Sequence, residues 1–321
     1  MFLLISVAIL FSLIQLSIAP RIRDYNEFMA ASIDKELRHK VLPAPRLVFL
    51  GGSNLAFGID SKKISESVGL PVLNMGLHAG LGLNFILNEA KKDIKPNDVI
   101  ILSTEYFLPP QGSVKLQSLL VDVNPKAITY AASNPSDYIR LTNRNFQRCL
   151  STLFYLCLHK ITGKEINEKI YRRGAFSAEG DNIAHLSDTT KYPIDFSVTY
   201  KNEYSDGIKA INQFIDIAKS ASAKVYYIYP NYPKSAFILH NGSITWFARE
   251  MNQRLNCQVL GTPADFVLDD SLYYDSFYHL NKTGRKLRTD ALINLLKRAN
   301  IPNIKSNPEK VKNRMLRAVN I

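Results

Sequence analysis

Residues 46–54 read Arg-Leu-Val-Phe-Leu-Gly-Gly-Ser-Asn. A short apolar run that stops at two glycines and a small polar residue is typical of a buried strand followed by a tight turn into a helix. We therefore predict a first strand over 46–50, with the hydroxyl of Ser53 exposed at a helix N-terminus. That position suits a nucleophile, although glycine and serine are also ordinary turn and capping residues.

The same pattern of apolar runs and helical segments continues along the chain. Further strands are predicted at 72–75, 99–102, 225–229 and 258–260, and helices at 61–68, 83–92, 206–220, 243–255 and 282–299. This alternation is typical of βαβ units around a parallel sheet. The sequence predicts an α/β domain over 45–300 with a five-stranded, mainly parallel sheet.

Residues 107–204 interrupt this alternation. Five prolines and a helix-like segment at 138–159 make the stretch too long for a simple connection after the third strand. We interpret it as a large insertion over one edge of the sheet. Within it, residues 180–185 read Gly-Asp-Asn-Ile-Ala-His, which we interpret as a solvated loop rather than a substrate contact.

Candidate chemical groups follow the strands, where ligands bind in open α/β sheets. Gly76 comes just after the second strand, where its backbone N–H could approach a reacting oxyanion. Asp275 and His279 share a loop directly before the last helix, whose entry Asn281 is expected to cap. The carboxylate could orient the imidazole toward Ser53, as in a Ser-His-Asp triad.

These residues resemble the motifs of the SGNH (GDSL-like) hydrolase superfamily, especially a membrane-anchored bacterial branch related to polysaccharide acetylation proteins. The resemblance covers about 47–296. It implies that Ser53 is the nucleophile, that Ser53 and Gly76 supply oxyanion N–H groups, and that Asp275 and His279 are acid and base. It also implies a flavodoxin-like three-layer α/β/α sandwich and ester hydrolysis or acyl transfer without a metal or other cofactor.

Two features depart from the family pattern. The third motif, Gly-x-Asn-Asp, is replaced at 103–106 by Ser-Thr-Glu-Tyr, so its asparagine oxyanion donor is missing. Loss of one such donor ordinarily costs about 10²–10³ in rate. Asn54 and His78 are candidate replacements. Asp275 and His279 also lie four residues apart rather than three.

Two functions are consistent with these residues. The first is a serine esterase or acyltransferase acting on acyl esters, above all acetyl esters, of cell-surface glycans or lipid-linked carbohydrate. The second is a catalytically impaired protein of the same fold that binds glycan or assembles an exopolysaccharide machinery. Seven tyrosines could stack on sugars in that case, or lie half-buried in strands: Tyr226, Tyr227, Tyr229, Tyr232, Tyr273, Tyr274 and Tyr278.

Composition and charge narrow the classes of partner. The chain has 321 residues, of which 46% are hydrophobic and 21% charged, and this composition argues against a disordered chain. It has three cysteines and no CxxC pair, which argues against a disulfide framework or a zinc site. Its net charge is +12, but the last 40 residues, with eleven basic and two acidic side chains, carry +9 of it. They contain no aromatic residue, so we expect no nucleic-acid partner.

Both ends of the chain suggest a membrane. Residues 1–20 are largely apolar and carry no charge, which predicts a transmembrane anchor or a signal segment. We favour an uncleaved anchor over a cleaved signal peptide and over a buried N-terminal helix. We expect the α/β domain on the extracytoplasmic side. Basic residues follow this segment, and the positive-inside tendency would keep that side of it in the cytoplasm. A start site further upstream that places basic residues before the segment would remove the conflict. The tail, 301–321, is predicted to form a basic amphipathic helix that either lies on anionic lipid or is solvated.

Overall fold

The computed structural model describes residues 26–162, 169–190 and 203–301, together with a few isolated positions before residue 26. The predicted anchor at 1–20 lies outside these ranges, and so does the tail from 302 to 321. Within the ranges that are described, no helix combines the length and the apolar character that crossing a bilayer requires.

The main sheet has five strands, as the sequence predicts. They are β1 (Leu47–Gly51), β2 (Val72–Asn74), β3 (Val99–Ser103), β4 (Lys224–Ile228) and β6 (Gln258–Leu260). All four pairings are parallel, and the order β2-β1-β3-β4-β6 is the doubly wound order of flavodoxin. Two short strands, β5 (Tyr232–Pro233) and β7 (Val267–Leu268), form a separate parallel pair.

Helices cover both faces of this sheet. They are α1 (Ala31–Val41), α2 (Ser53–Ala56), α3 (Ser61–Val68), α4 (Leu83–Lys91), α5 (Val114–Val123), α6 (Ile128–Ala131), α7 (Pro135–Thr162), α8 (Ser205–Ser220), α9 (Lys234–Leu239), α10 (Asn241–Arg254) and α11 (Lys282–Arg298). The connections β1-α3-β2 and β2-α4-β3 run in opposite directions along the sheet, so right-handed crossovers place α3 and α4 on opposite faces. Helix α3 packs on α11, and α4 packs on α8. The predicted α/β class is confirmed, with the three layers of a sandwich.

Local signals in the sequence fix several helix ends. The Asp60 carboxylate accepts the Lys63 N–H at 3.0 Å and caps α3, which stops at Gly69 in the left-handed conformation (φ 71°). The Asn281 side chain accepts the N–H groups of Thr283 and Gly284 and caps α11, as predicted. These caps satisfy backbone donors that a helix start leaves unpaired.

The two central strands are buried along their whole length. Every residue of β1 and of β3 is buried, which is why both read as continuous apolar runs rather than alternating ones. Arg46, the first residue of the predicted strand, instead forms a fully buried bidentate ion pair with Asp98 at 3.0 Å. This pair joins the amino ends of β1 and β3.

The predicted insertion is present and returns to the sheet. Helices α5 to α7 are followed by a segment at 169–190, and α7 extends beyond the predicted 138–159. The returning segment hydrogen-bonds to the carboxyl side of the sheet: the Asn74 N–H donates to Glu179 O and the Asn182 N–H to Ala56 O, both at 2.8 Å. Asp181, Asn182 and His185 are at most 2% exposed, so the interpretation of 180–185 as a solvated loop is wrong.

Two glycines allow the turn after β1 to lie directly against the end of β3. A Cβ atom at Gly51 would lie 1.9 Å from the Ser103 carbonyl oxygen, and one at Gly52 would lie 2.4 Å from Glu105 Oε2. Both distances are far below van der Waals contact, and the obstacle at Gly51 is backbone. The glycine pair therefore has a packing reason that is specific to this turn.

We expect Gly51→Ala to lower the free energy of unfolding by about 2–3 kcal/mol, because β1 or β3 must shift to admit the methyl group. Urea denaturation would measure this change. Gly242→Ala is the matched control: a Cβ there meets nothing within 4 Å, and alanine favours the helix, so stability should be unchanged or up to about 1 kcal/mol higher. Equal effects of the two substitutions would contradict the conclusion that close packing against β3 requires glycine at position 51.

Candidate active site

Ser53 is the first residue of α2 and lies at the carboxyl end of β1. It is the one residue between 51 and 59 that is not buried. Neither its hydroxyl nor its backbone N–H forms a hydrogen bond with any residue in the described ranges. Both groups are therefore available to a ligand.

Asp275 and His279 are brought together by the loop before α11. His279 Nδ1 lies 2.6 Å from Asp275 Oδ1, so the four-residue spacing permits the pair. The loop is closed by two backbone bonds, from the Tyr274 N–H to His279 O at 2.8 Å and from the Asn281 N–H to Leu272 O at 2.9 Å. Because Nδ1 faces the carboxylate, the proton of the neutral ring is assigned to Nδ1 and Nε2 is left as the base.

The imidazole of His279 lies beside α2. Its ring stacks on Phe57 with centroids 4.0 Å apart and planes 13° apart, and the Phe57 N–H donates to Ser53 O at 2.9 Å. The base is thus held one helical turn from the candidate nucleophile. The structure shows no hydrogen bond between Ser53 Oγ and His279 Nε2, a contact that often tightens only when substrate is present.

Tyr171 joins the site from the insertion, and nothing in the sequence singled it out. Its hydroxyl donates to Asp275 Oδ2 and lies 3.4 Å from His279 Nδ1. Burial raises the pKa of Asp275, but the hydrogen bond and charge of His279, together with the Tyr171 hydroxyl, hold that pKa below its ordinary value. The carboxylate therefore stays ionised opposite the imidazole.

The additional oxyanion donors predicted from the sequence are already engaged. The Gly76 N–H donates to Asn74 Oδ1 at 2.9 Å. The Asn54 N–H donates to Glu105 Oε1, and Asn54 Nδ2 donates to Ser103 O, both at 2.9 Å. Asn54 is fully buried, so its side chain supports the turn from inside. Of the predicted backbone donors, only the Ser53 N–H has no hydrogen-bond partner among the described residues.

His78 is a second unengaged donor. The loop after β2 carries it, and its Nδ1 accepts the Gly80 N–H at 2.9 Å, which places the ring proton on Nε2. Burial, and next the charge of His279, lower the pKa of His78. The side chain is therefore a neutral imidazole whose Nε2–H has no hydrogen-bond partner among the described residues.

Asp181 anchors the insertion beneath this site. Its carboxylate accepts the N–H and hydroxyl of Ser61 at 2.8 and 2.6 Å, Asn74 Nδ2 at 2.8 Å and an Arg285 guanidinium nitrogen at 2.9 Å. These partners belong to α3, β2 and α11. Burial raises the pKa of Asp181, and the Arg285 charge opposes that shift. The segment that carries Tyr171 is thus fixed to three elements of the core.

Most of the tyrosines considered for sugar stacking lie in the interior. Tyr227, Tyr229 and Tyr232 are fully buried, and Tyr273 and Tyr274 are 7% and 4% exposed. The prediction that these five side chains form a sugar-stacking cleft is therefore wrong. Their aromatic surface contributes to packing around β4 and the loop before α11 instead.

An open cavity of about 450 Å³ lies on another side of the loop before α11, where Asp188, Tyr274 and Lys282 are among its lining residues, and it includes neither Ser53 nor His279. In the ranges that the structure covers, no group of three or more His, Cys, Asp or Glu side chains is placed to hold a metal ion.

Comparison of the chain with protein-family models, with curated proteins and with solved structures finds no match. The resemblance to SGNH hydrolases therefore rests on the motif residues of the sequence.

We expect Tyr171→Phe to raise the pKa of Asp275, because the carboxylate loses a donor that stabilises its charged form. Stability linked to a depressed carboxylate pKa is present above the unfolded value and is lost as the pH falls through the folded value. In the variant this contribution is smaller and its loss is complete at a higher pH. Carbon-13 NMR of the aspartate carboxyls would report the pKa of Asp275 in the wild type and in the variant. Tyr138→Phe, on the exposed face of α7, is the control, and an unchanged Asp275 pKa in Tyr171→Phe would contradict the assignment.

Asp181→Ala should lower the free energy of unfolding by about 3–5 kcal/mol, because it removes the closer counter-charge of the buried Arg285 guanidinium, at 2.9 Å, and leaves only Asp60 at 3.7 Å. Asp290→Ala also removes an ion pair of α11, with Lys63, but these side chains are 44% and 39% exposed. That variant should lose no more than about 1 kcal/mol. Chemical denaturation of both proteins compares the two pairs, and similar losses would argue against Asp181 as the anchor of the insertion.

Proposed function

We propose that this chain is a serine-dependent ester hydrolase or O-acyltransferase of the SGNH type. One observation carries the proposal: an Asp275–His279 pair at 2.6 Å places a free imidazole nitrogen beside the turn that exposes Ser53. A nucleophile, a base and a group that orients the base are the three parts of serine catalysis. All of them lie at the carboxyl edge of the parallel sheet.

In the first half of the proposed reaction, His279 Nε2 takes the proton of Ser53 Oγ as this oxygen attacks the ester carbonyl carbon. The carbonyl π electrons move to oxygen, and a tetrahedral oxyanion forms. When the oxyanion collapses, the bond to the alcohol oxygen breaks and His279 returns its proton to the leaving alcohol. Ser53 then carries the acyl group as an ester.

In the second half, a new hydroxyl attacks the acyl-serine. His279 Nε2 takes its proton, the bond between the acyl carbon and Ser53 Oγ breaks, and the proton passes to Ser53 Oγ. Water as the attacking group gives hydrolysis, and a sugar hydroxyl gives acyl transfer. Asp275 stays ionised throughout and stabilises the imidazolium that forms in each half.

Two donors would stabilise the oxyanion, the backbone N–H of Ser53 and the Nε2–H of neutral His78. Each is free of partners among the described residues. A donor that is already oriented loses little entropy when the charge develops, and this is why such groups are worth about 10²–10³ each. His78 would thus take the role of the missing third-motif asparagine.

The proposed substrates are acyl esters, above all acetyl esters, of cell-surface glycans or lipid-linked carbohydrate. Residues 1–20 would anchor the protein, with the α/β domain on the extracytoplasmic side, and the basic tail would meet anionic lipid. The reaction as written uses only side chains and backbone groups of this chain.

A second candidate function is a carbohydrate-binding or assembly protein with impaired catalysis. The internal engagement of the Gly76 N–H and of both Asn54 donors favours it, because fewer groups are left to hold an oxyanion.

Labelling with a fluorophosphonate probe separates the two functions. We expect the wild type to be labelled, and Ser53→Ala and His279→Ala to lose labelling by about 10²-fold or more, because both nucleophile and base are required. Ser151→Ala, an exposed serine on α7, is the control and should label as the wild type does.

Persistent labelling of Ser53→Ala would show that another residue reacts. A wild type that resists the probe at every pH would favour the binding function.

A further inference from the structure

Glu105 stands where the third motif of the family would supply its asparagine. It follows β3 by two residues and is 5% exposed. Its Oε1 accepts the Asn54 N–H at 2.9 Å. Its Oε2 lies so close to Gly52 that a Cβ atom there would be only 2.4 Å away. The carboxyl group therefore touches the residues directly before and after Ser53.

The second carboxyl oxygen has no partner. Oε2 is buried and forms no hydrogen bond with any described residue. Burying a charged carboxylate with one oxygen unpaired is costly, whereas the acid form carries no charge. Burial raises the pKa of Glu105, opposed by hydrogen bonds, chiefly from the Asn54 N–H, and by the charge of His279.

The other titratable groups around Glu105 come from three elements. His279 lies on the loop before α11, Arg288 lies on α11, and the Tyr204 phenol precedes α8. Burial raises the pKa of Tyr204, so the phenol is neutral, and burial lowers the pKa of Arg288 to about 10, so it keeps its charge near neutral pH.

Arg288 is committed elsewhere. Its guanidinium donates to Asn54 O, Asn54 Oδ1, Asn231 Oδ1 and Ser103 Oγ. Neither Arg288 nor His279 forms an ion pair with Glu105 in the described structure. The charge of Arg288 therefore acts on a Glu105 carboxylate through space, without a hydrogen bond between the two groups.

On the basis of the proposed function, we propose that the ionisation state of Glu105 controls the reaction at Ser53: the acid form permits it and the carboxylate suppresses it. The oxyanion develops beside the Ser53 N–H. A negative charge on the buried Glu105 carboxyl, which contacts Gly52 and Asn54, raises the energy of that oxyanion. Glu105 is thus a positioning residue that sets the potential of the oxyanion pocket and does not contact the substrate.

This assignment gives the reaction a bell-shaped pH dependence. The general base of a serine mechanism must be unprotonated to act, so the rate rises with pH on the acid side. Glu105 must be protonated, so the rate falls about tenfold for each pH unit above its pKa. A carboxyl group would therefore control the alkaline limb.

The test is the second-order rate of Ser53 labelling by a fluorophosphonate probe across about pH 5–9. Glu105→Gln keeps the carbonyl that accepts the Asn54 N–H but cannot ionise. We expect it to abolish the alkaline limb and to react about tenfold or more faster than the wild type at the alkaline end. Glu89→Gln makes the same chemical change in the last turn of α4, away from the site, and should leave the wild-type profile unchanged.

A Glu105→Gln protein that keeps the alkaline limb, or reacts more slowly than the wild type at every pH, would overturn the proposal. If that variant does not fold, carbon-13 NMR of the wild type decides: the Glu105 carboxyl must titrate at the midpoint of the alkaline limb, and a different midpoint overturns the proposal. Failure of the serine mechanism is distinguishable, because neither protein would then show Ser53-dependent labelling at any pH.

Discussion

The close approach of the turn after β1 to the end of β3 sets the geometry of the whole site. Glycine at positions 51 and 52 permits it, since side chains there would collide with Ser103 O and with the Glu105 carboxyl. Because the turn lies so near β3, Asn54 reaches the Ser103 carbonyl and Glu105 reaches the Asn54 N–H. Ser53 is left as the one residue of the turn that faces outward.

Buried polar groups hold this turn from below. Arg288 binds both the backbone and the side-chain oxygen of Asn54, and Asp181 joins the insertion to Ser61 and Arg285. Such groups cost desolvation energy and are stabilising only when their partners are in place, so they favour one arrangement of the chain over its alternatives. The insertion is consequently part of the site: it supplies Tyr171, which orients Asp275.

Much of the fold is readable from the sequence, because the strands of the main sheet are mostly apolar runs closed by turns and several helices have local start or stop signals. Its five strands and the five predicted helices lie within two residues of their predicted bounds, whereas β5, β7 and α9 were not predicted. The candidate residues Ser53, Asp275 and His279 were also proposed from the sequence, because Ser53 follows β1 and the other two share the loop before α11. Local patterns are sufficient for such assignments.

Contacts between distant segments were not accessible in this way. Tyr171 meets Asp275 across 104 residues, and Asp181 meets Ser61 across 120, with no local pattern to indicate either contact. The sequence also showed which groups can donate but not what they donate to, so the internal partners of Gly76 and Asn54 were missed. The sequence indicated only that the third-motif asparagine is missing at 103–106. It did not indicate that Glu105 is buried against the turn after β1, because that contact depends on how the ends of β1 and β3 approach each other.

We propose that Ser53 is the nucleophile, with His279 as its base and His78 as an oxyanion donor. A crystal structure of the protein after reaction with a phosphonate ester would test it most directly. We expect a covalent bond from Ser53 Oγ to phosphorus, with the phosphonyl oxygen in hydrogen-bond contact with the Ser53 N–H and His78 Nε2, and His279 Nε2 facing Oγ. An adduct on another side chain, or a phosphonyl oxygen turned away from both donors, would contradict it.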